Sequence, residues 1–344
     1  MKTSIFSALV ISAALMGNTE TVNAQDLTLN WAKQHGINGT NASRNKTIAF
    51  DAQGNVYTAG SFQGTGDFNP DPNATFSLTS KGGSNEDFYI TKFDPSGNFI
   101  WAKQISSSAG TMDHLFCNGI AIDANNNIVL TGKYYGIVDF DPDAGVTQLA
   151  SGFGFADAFV LKLNSDGGFI WAKTYGDDRT AMGNSIAVDT AANIYVAGFF
   201  DGKATFDGIN QLSTHLFLSA DGVTVNDHSQ DAFVLKLDAN GNTIWAKQYA
   251  GSGIYVGSTK IWYPFLSLDA ANNVYIGGNY KGQFDFDPSP TATYTIVSNY
   301  GGGWAAPNDV FLSKLDTNGN FQWAKTIGGL ADDNAYSMVN DANG

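Results

Sequence analysis

The sequence predicts an all-β protein, a β-propeller of four-stranded antiparallel blades, and three observations support this fold class. The tripeptide Trp-Ala-Lys occurs five times, at intervals of 70 to 78 residues, beginning at Trp31, Trp101, Trp171, Trp245 and Trp323. Between these markers, segments rich in β-branched and aromatic residues alternate with Gly, Asn and Asp turns, and no helical period is sustained. The composition agrees, because 39 Gly and an acid content made almost wholly of Asp favour turns over helices.

Each repeat supplies four predicted strands, which we label a to d in chain order. Strand a contains Ile-Ala-x-Asp, strand b ends at a Gly, strand c begins with Asp, and strand d contains Trp-Ala-Lys. The a strands lie at Ile48–Asp51, Ile120–Asp123, Ile186–Asp189 and, as a variant, Leu266–Asp269, and the c strands begin at Asp87, Asp157, Asp231 and Asp309. Radial arrays of such blades leave only short, protected edges, so the repeats favour a propeller.

The hairpin between strands c and d predicts which side chains face each other. If the four residues after Asp238 form the turn, Asp238 faces Thr243 and Lys236 faces Trp245. Directly opposed residues share a face of the sheet, so we expect the lysine stem to lie against the indole. The same count pairs Lys92 with Trp101, Lys162 with Trp171 and Lys314 with Trp323.

Residues 1–24 have the pattern of a cleavable secretory signal, so residues 25–344 form the predicted propeller domain. Lys2 precedes an apolar run from Ile5 to Met16, and Val22-Asn23-Ala24 offers small residues for cleavage. The apolar run is too short to span a bilayer, and no later segment approaches the required length. We therefore expect a secreted or cell-surface protein without a membrane span.

The two ends of the repeat array differ. A lone d strand is predicted around Asn30–Gln34, before the first complete repeat, where it is available to complete the last blade of a ring. Ala335–Gly344 begin a fifth repeat and stop at its first turn. We therefore interpret the sequence as four complete repeats of a chain that is truncated at its C-terminus.

The recurring motifs of these repeats resemble the bacterial β-propeller repeat family known as SBBP and, more distantly, NHL-type blades. The resemblance rests on Ile-Ala-x-Asp-x-x-x-Asn-x-Tyr-x-x-Gly, Asp-Ala-Phe-x-x-Lys-Leu-Asp-x-x-Gly-Asn and Trp-Ala-Lys, and it extends from about residue 28 to the end. It implies a propeller fold in an exported protein. Many members carry a sorting domain for the type IX secretion pathway, so the resemblance also implies a cargo of that pathway.

Repeated acidic segments lie in the long connections between strands b and c. Because strands alternate in direction, these connections share one face of the disc with the d–a connections, and long loops usually carry binding sites. In an extended segment, residues two and four apart share a face, so the carboxylates would repel each other unless a cation such as calcium binds them. Asx turns, which need no cation, are the alternative interpretation. The candidate calcium ligands are Asp67, Asp71, Asp139, Asp141, Asp143, Asp285 and Asp287.

Two tryptophans outside the Trp-Ala-Lys column are candidate ligand-binding residues. Trp262 is predicted in a d–a connection and Trp304 in a b–c connection of the same repeat. Exposed indoles among amide and acidic groups would suit stacking on sugars, and packing in the local core is the alternative.

The charge balance excludes two classes of partner. With 18 basic and 32 acidic residues, the formal charge is −14 and the pI is about 4.4. A surface this acidic opposes binding to nucleic acid and to anionic membranes.

The leading hypothesis is a binding, adhesion or scaffold module for an unidentified glycan or protein, without catalysis and without a required cofactor. No catalytic motif recurs in register along the chain. The alternative is a polysaccharide-acting hydrolase or lyase that uses loop carboxylates, for which the pairs Asp177–Asp178 and Asp332–Asp333 are candidates. A third hypothesis is a passive spacer beside another domain.

Cleavage after Ala24 is a testable prediction of this sequence pattern. Protein recovered from the medium or the surface of the producing cells should begin at Gln25, because small residues at the end of the signal direct cleavage there. The intact mass of the recovered protein measures this directly, and a mass that includes the run from Ile5 to Met16 would contradict it.

Overall fold

The computed structural model describes residues 31–33, 36–37, 43–81, 86–107, 114–152, 154–176, 179–206, 210–213, 217–218, 224–225, 230–251, 259–298 and 307–340. Every regular element within these ranges is a β-strand. Lys33–Gly344 form one compact segment, and Trp31 and Ala32, the described residues of the preceding segment, carry no strand.

Four repeats are present, each with the long strands a to d and a short hairpin, which we call the arm, between b and c. β1 (Gly36–Ile37) precedes them. Repeat 1 contains a, β2 (Ser43–Phe50); b, β3 (Val56–Phe62); the arm, β4 (Thr65–Asp67) and β5 (Ser77–Thr79); c, β6 (Asp87–Phe93); and d, β7 (Phe99–Ser107). Repeat 2 contains a, β8 (Leu115–Ile122); b, β9 (Ile128–Tyr134); the arm, β10 (Ile137–Asp139) and β11 (Gln148–Ala150); c, β12 (Asp157–Leu163); and d, β13 (Phe169–Tyr175).

The second half of the chain repeats this order. Repeat 3 contains a, β14 (Ala181–Val188); b, β15 (Ile194–Phe200); the arm, β16 (Lys203–Phe206) and β17 (Asn210–Ser213); a small extra hairpin, β18 (Phe217–Leu218) and β19 (Thr224–Val225); c, β20 (Asp231–Leu237); and d, β21 (Thr243–Gly251). Repeat 4 contains a, β22 (Lys260–Leu268); b, β23 (Val274–Lys281); the arm, β24 (Gln283–Asp285) and β25 (Thr295–Val297); c, β26 (Asp309–Leu315); and d, β27 (Phe321–Ile327).

Within each repeat the four long strands form an antiparallel sheet in the order a-b-c-d. The a strands of successive repeats pack on each other, β2 on β8, β8 on β14 and β14 on β22. The core lies between neighbouring repeats; Phe88 of repeat 1, for example, stacks on Phe159 of repeat 2 with ring centroids 5.9 Å apart. The all-β, antiparallel prediction is confirmed, and the arrangement is consistent with a propeller-like fold.

The arms extend the sheet of the preceding repeat. Ser106 and Ser107, at the end of strand d of repeat 1, pair with Asp139 and Val138 in the arm of repeat 2. Equivalent pairings join Ala250 to Asp285, Gly36 to Asp67 and, as an isolated bridge, Gly176 to Thr205. The connections that the sequence predicts as long loops therefore contain strands, and each arm covers part of an edge that strand d would otherwise expose.

The N-terminal strand lies later in the chain than predicted. It is β1 at Gly36–Ile37, whereas Trp31–Lys33, the described part of the predicted Asn30–Gln34 strand, carry no strand. β1 pairs with the arm of repeat 1 in the register that Ser106 and Ser107 use in the next repeat. Among the described residues it therefore supplies the strand end that the first arm requires, and repeat 4 has its own strand d.

Each c–d hairpin contains a bulge that changes its predicted register. Lys236 pairs with Trp245 as predicted, but Leu237 rather than Asp238 pairs with Thr243, because Ile244 is an extra residue on strand d. The other predicted pairs, Lys92 with Trp101, Lys162 with Trp171 and Lys314 with Trp323, are all present.

An acidic side chain organises the a–b turn of repeat 2. Asp123 Oδ1 accepts hydrogen bonds from the N–H groups of Asn125 and Asn127, and Oδ2 accepts from the Asn127 side chain, each at 2.9 Å. Lys162 Nζ lies 3.0 Å from Asp123 Oδ2, and both side chains are almost fully buried. Burial favours the neutral carboxyl, but the bonds from Asn127 and Lys162 together outweigh it and lower the pKa of Asp123 below its ordinary value.

A lysine and a tryptophan of one repeat hold the c–d turn of the next repeat, an arrangement that we call the Lys–Trp clamp. Lys162 Nζ donates to the carbonyl oxygen of Ala239 at 3.2 Å, and Trp171 Nε1 donates to the same oxygen at 3.3 Å. Gly241 of that turn has φ +81° and lies on the Trp171 indole, where a Cβ would approach the ring to 3.1 Å.

The clamp recurs along the chain. Lys236 and Trp245 donate to Thr317 at 3.0 and 3.4 Å, and Lys92 donates to Ser165 at 3.1 Å. In repeats 1, 3 and 4 the lysine ammonium lies over a tyrosine of strand b rather than over the indole, as for Lys236 and Tyr195, whose ring centroid is 4.9 Å from Nζ. In repeat 2, Lys162 pairs instead with Val129. Where the tyrosine is present, the lysine therefore adds a cation–π contact within its own repeat.

Replacing Gly241 with Ala should weaken the clamp. The left-handed backbone and the close indole contact both oppose a Cβ, so we expect Gly241→Ala to lower the free energy of unfolding by about 2–5 kcal/mol. Gly154→Ala is the matched control, because Gly154 has φ +83° but no atom lies within 4 Å of the position that a Cβ would take there. Urea unfolding of the two variants measures the difference, and equal losses would show that the indole contact contributes nothing.

The ion pair of Asp123 should make stability depend on pH. Since the folded state lowers its pKa, the charged carboxylate stabilises the fold above the unfolded pKa of about 3.9, and that contribution is lost as the pH falls through the folded pKa. We expect Asp123→Asn to cost about 3 kcal/mol near pH 7, because it leaves Lys162 buried without its anion.

The gap between this variant and the wild type should begin to narrow as the pH falls below the unfolded pKa of about 3.9, and it should close only below the lowered pKa of folded Asp123, where the wild-type carboxylate is also neutral. Asp94→Asn is the matched control, because Asp94 forms the same turn bonds with Ser96 and Asn98 at an exposed site. Its loss should be smaller. A gap between Asp123→Asn and wild type that does not change from pH 7 to pH 3, measured by urea unfolding, would contradict the ion-pair account.

Candidate functional site

The first acid of each predicted calcium segment closes the turn of its arm. Asp139 Oδ1 accepts hydrogen bonds from the N–H groups of Thr147, at 2.8 Å, and Asp141, at 3.2 Å. The equivalent donors are Phe76 and Asn69 for Asp67, and Tyr294 and Asp287 for Asp285. Each of these carboxylates thus has a backbone partner two residues ahead, which is the Asx-turn geometry.

The remaining acids of these segments continue the same pattern. Asp141 Oδ1 accepts from the N–H of Asp143, and Asp143 forms an ion pair with Lys103 of repeat 1 at the rim of a cavity of about 410 Å³. Asp71 accepts from Asn73, and Asp287 accepts from Ser289. Among the described residues, no group of three or more His, Cys, Asp or Glu side chains is placed to hold a metal ion. Calcium binding at these segments stays a prediction from the sequence.

The phenylalanine within each acidic segment anchors the arm. Phe68, Phe140, Phe206 and Phe286 are fully buried. Phe286, for example, packs on Tyr249 of the preceding repeat with centroids 5.4 Å apart. The segments are therefore acidic on one side and part of the inter-repeat core on the other.

The two candidate tryptophans have different outcomes. Trp262 lies in strand β22, half-buried and paired with Asn279, and not in the predicted d–a connection. The strand begins earlier than the repeat pattern indicates, because Lys260–Trp262 already pair with β23. Trp304 lies outside the described residues.

The acidic pairs proposed for catalysis also differ in outcome. Asp332 Oδ1 accepts from the N–H of Asn308, and Asp333 Oδ2 accepts from the N–H of Gly329, each at 2.9 Å. The first bond fastens the d–a connection to the residue before strand c, and the second lies within that connection. Asp177 and Asp178 lie outside the described residues.

The a strands of all four repeats converge on a cavity of about 570 Å³. The start of the fifth repeat forms another wall, where the side chain of Asn279 accepts a 2.7 Å bond from the N–H of Ala335 and donates to its carbonyl. The described lining residues are Thr47, Asn118–Ile120, Met182, Asn184–Ile186, Tyr263–Leu266 and Tyr336–Met338. None of these lining residues carries a formal charge, although the chain as a whole is strongly acidic.

A β-bulge occurs in the same column of every a strand at this cavity. The extra residue is Lys46 in repeat 1, Asn118 in repeat 2 and Asn184 in repeat 3. In repeat 4, Tyr263 and Pro264 together oppose a single residue. Bulges redirect side chains and are enriched beside binding sites, so their alignment around one cavity identifies it as the candidate functional site.

Two polar features of the cavity point to a ligand. Asn184 Oδ1 is buried and accepts no hydrogen bond from any described residue. The neighbouring Ser185 Oγ accepts from the N–H of Leu266 at 3.1 Å, which leaves its own proton directed elsewhere. The Asn118 side chain, in contrast, donates to the carbonyl of Gly183 and ties adjacent a strands together.

Tyr263 adds a strained aromatic residue to the rim. Its φ of +49° lies in the left-handed region, which costs a bulky residue about 1–2 kcal/mol. Its side chain is nevertheless 56% exposed, so core packing does not explain the conformation. Sequence reasoning missed this site; the only signal was an Asn two residues before the Ile of Ile-Ala-x-Asp in repeats 2 and 3.

No helix among the described residues is long and apolar enough to cross a membrane.

Comparison with known proteins gives one sequence relative of note. No protein-family model matches the chain. The uncharacterized WD repeat-containing protein L264 of Acanthamoeba polyphaga mimivirus is 28% identical over 189 residues, which are 49% of this chain and 13% of that protein. The chain thus spans only a small part of that relative, and the likeness indicates a repeat, propeller-like relationship.

Among solved structures, a protein of unknown function from Dyadobacter fermentans DSM 18053 is similar over 86% of this chain and 98% of its own. Its sequence identity is 12% and the TM-score is 0.29, which is too low to support an argument about the fold.

Proposed function

We propose that this chain is a β-propeller scaffold that acts as a binding module and seats its ligand in the cavity between the bulged a strands. The repeat architecture and the WD-repeat relative support a scaffold or binding role. The aligned bulges support this cavity as the site, in preference to the acidic arms, whose carboxylates are already occupied by backbone N–H groups.

The buried Oδ1 of Asn184 is the observation that carries this proposal. A buried acceptor without a donor costs about 1–3 kcal/mol, so folding alone does not favour it. A ligand that donates a hydrogen bond there would recover that cost. An unsatisfied polar atom, a strained exposed Tyr263 and a neutral wall occur together at one place.

The cavity chemistry favours a neutral ligand rich in hydroxyl or amide groups. Asn184 supplies an acceptor and Ser185 a hydroxyl, while Tyr263 and Tyr336 offer exposed rings for stacking. A glycan segment meets these requirements best, and an uncharged segment of a protein partner is the other candidate. Nucleic acid does not, since its phosphates require basic groups.

We propose in addition that the protein is exported to the cell surface or medium, as a cargo of the type IX pathway. The signal pattern of residues 1–24 and the SBBP resemblance support this location. No observation on the described residues favours the hydrolase or lyase alternative, because Asp332 and Asp333 act as hydrogen-bond acceptors for the backbone.

Asn184→Leu should abolish binding without lowering stability. Leu has nearly the same size and removes an unsatisfied acceptor, so the free energy of unfolding should stay equal or rise by up to about 1 kcal/mol. Neutral oligosaccharides (cello-, xylo- and chito-oligosaccharides) are the first probes and uncharged peptides the second, with affinities measured by calorimetry. Wild type should bind at least one probe, and Asn184→Leu should lose at least tenfold in affinity.

Asn125→Ala is the matched control, because Asn125 is an exposed amide in an a–b turn outside the cavity. It should bind like wild type. If the probe binds wild type and Asn184→Leu equally, the site lies elsewhere. If binding then disappears on Asp139→Asn, the arms are the ligand site and the cavity proposal is wrong.

A further inference from the structure

The outer face of repeat 4 is an uncovered copy of an interface that is closed three times within the chain. Four residues after each Trp of strand d, an apolar side chain faces the next repeat. Ile105, Tyr175 and Tyr249 are at most 1% exposed at this position, whereas Ile327 is 62% exposed. The difference is not one of residue type, since Ile105 and Ile327 are both isoleucine.

The arm of the following repeat covers this position in the closed interfaces. Phe206 stacks on Tyr175 at 5.5 Å, and Phe286 packs on Tyr249 at 5.4 Å. Phe140 belongs to the same buried cluster as Ile105. No described arm lies against Ile327.

Among the described residues, the Lys–Trp clamp of repeat 4 holds no turn. Lys314 and Trp323 are nevertheless paired in the same register as the corresponding residues of the other repeats. Lys314 Nζ instead donates to Tyr275 Oη at 2.6 Å and to Asp269 Oδ2 at 3.2 Å. Its side chain is 21% exposed, against 5% for Lys162, which holds Ala239.

We propose that this face is a docking site for one further repeat of the same type. The c–d turn of the incoming repeat, with the pattern Asp-x-x-Gly-Asn, places its second carbonyl between Lys314 and Trp323 and its Gly on the indole. The arm of the incoming repeat places its Phe on Ile327. This proposal does not depend on the ligand proposed above, because none of these residues lines the cavity.

The test uses a chain in which a copy of residues 270–334 replaces residues 342–344. The copy begins directly after Asp341, which aligns with Asp269, and so completes the fifth repeat. In the existing chain, Ile327→Ala should leave the thermal midpoint unchanged, because the side chain is exposed. In the extended chain it should lower the midpoint by about 4 °C or more, because the side chain is then buried. Hydrogen exchange at residues 327–329 should slow at least tenfold on extension.

Ile105→Ala is the matched control, because Ile105 is buried in both chains and should lower both midpoints equally. A second extension with residues 190–262 of repeat 3 repeats the test if the first copy does not fold. The proposal is overturned if Ile327→Ala is neutral in a folded extended chain. It is also overturned if the existing chain forms dimers that Ile327→Ala disperses, because the occupant would then be a second copy.

Discussion

The bond between a buried lysine and a carbonyl of the neighbouring repeat is the contact on which the rest of the structure depends. A buried ammonium is tolerated only when its charge and its donors are satisfied, and Lys162 needs both Asp123 of its own repeat and Ala239 of the next. Strand c, the a–b turn and the following c–d turn must therefore form together. The Trp171 indole donates to the same carbonyl, and Gly241 of the turn packs against its ring. These contacts together hold the two repeats at a fixed distance.

This fixed spacing also explains how a binding site arises from structural repeats. Because a lysine of each of repeats 1 to 3 holds the c–d turn of the next repeat, the bulge residues Asn118, Asn184 and Tyr263 of repeats 2 to 4 line one common cavity. The residues at the bulge position differ in type among the repeats, which indicates that packing does not determine them. They are Lys46, Asn118, Asn184 and Tyr263 in repeats 1 to 4. Stability from the clamp thus permits an unsatisfied amide and a strained tyrosine at the cavity.

The features that sequence reasoning predicted are those in which one residue type determines one local geometry. The pairs Lys162–Trp171 and Lys236–Trp245 follow from counting turn residues, and both are present. The arms were not predicted as strands, because their pairing partner is the preceding repeat, which a local pattern does not report. The cavity was missed because a bulge has no signature residue, and Trp262 was misplaced because strand β22 begins before the repeat pattern does.

Because of the arms, the boundaries of a repeat in the sequence differ from the boundaries of the sheet to which its residues belong. In sequence an arm lies between strands b and c of its own repeat, but its hydrogen bonds belong to strand d of the repeat before. Deletion or duplication of one repeat by recombination would therefore reconnect every arm to an equivalent strand in the interior. An array of this kind is therefore able to change length in evolution without redesign of the contacts between its repeats.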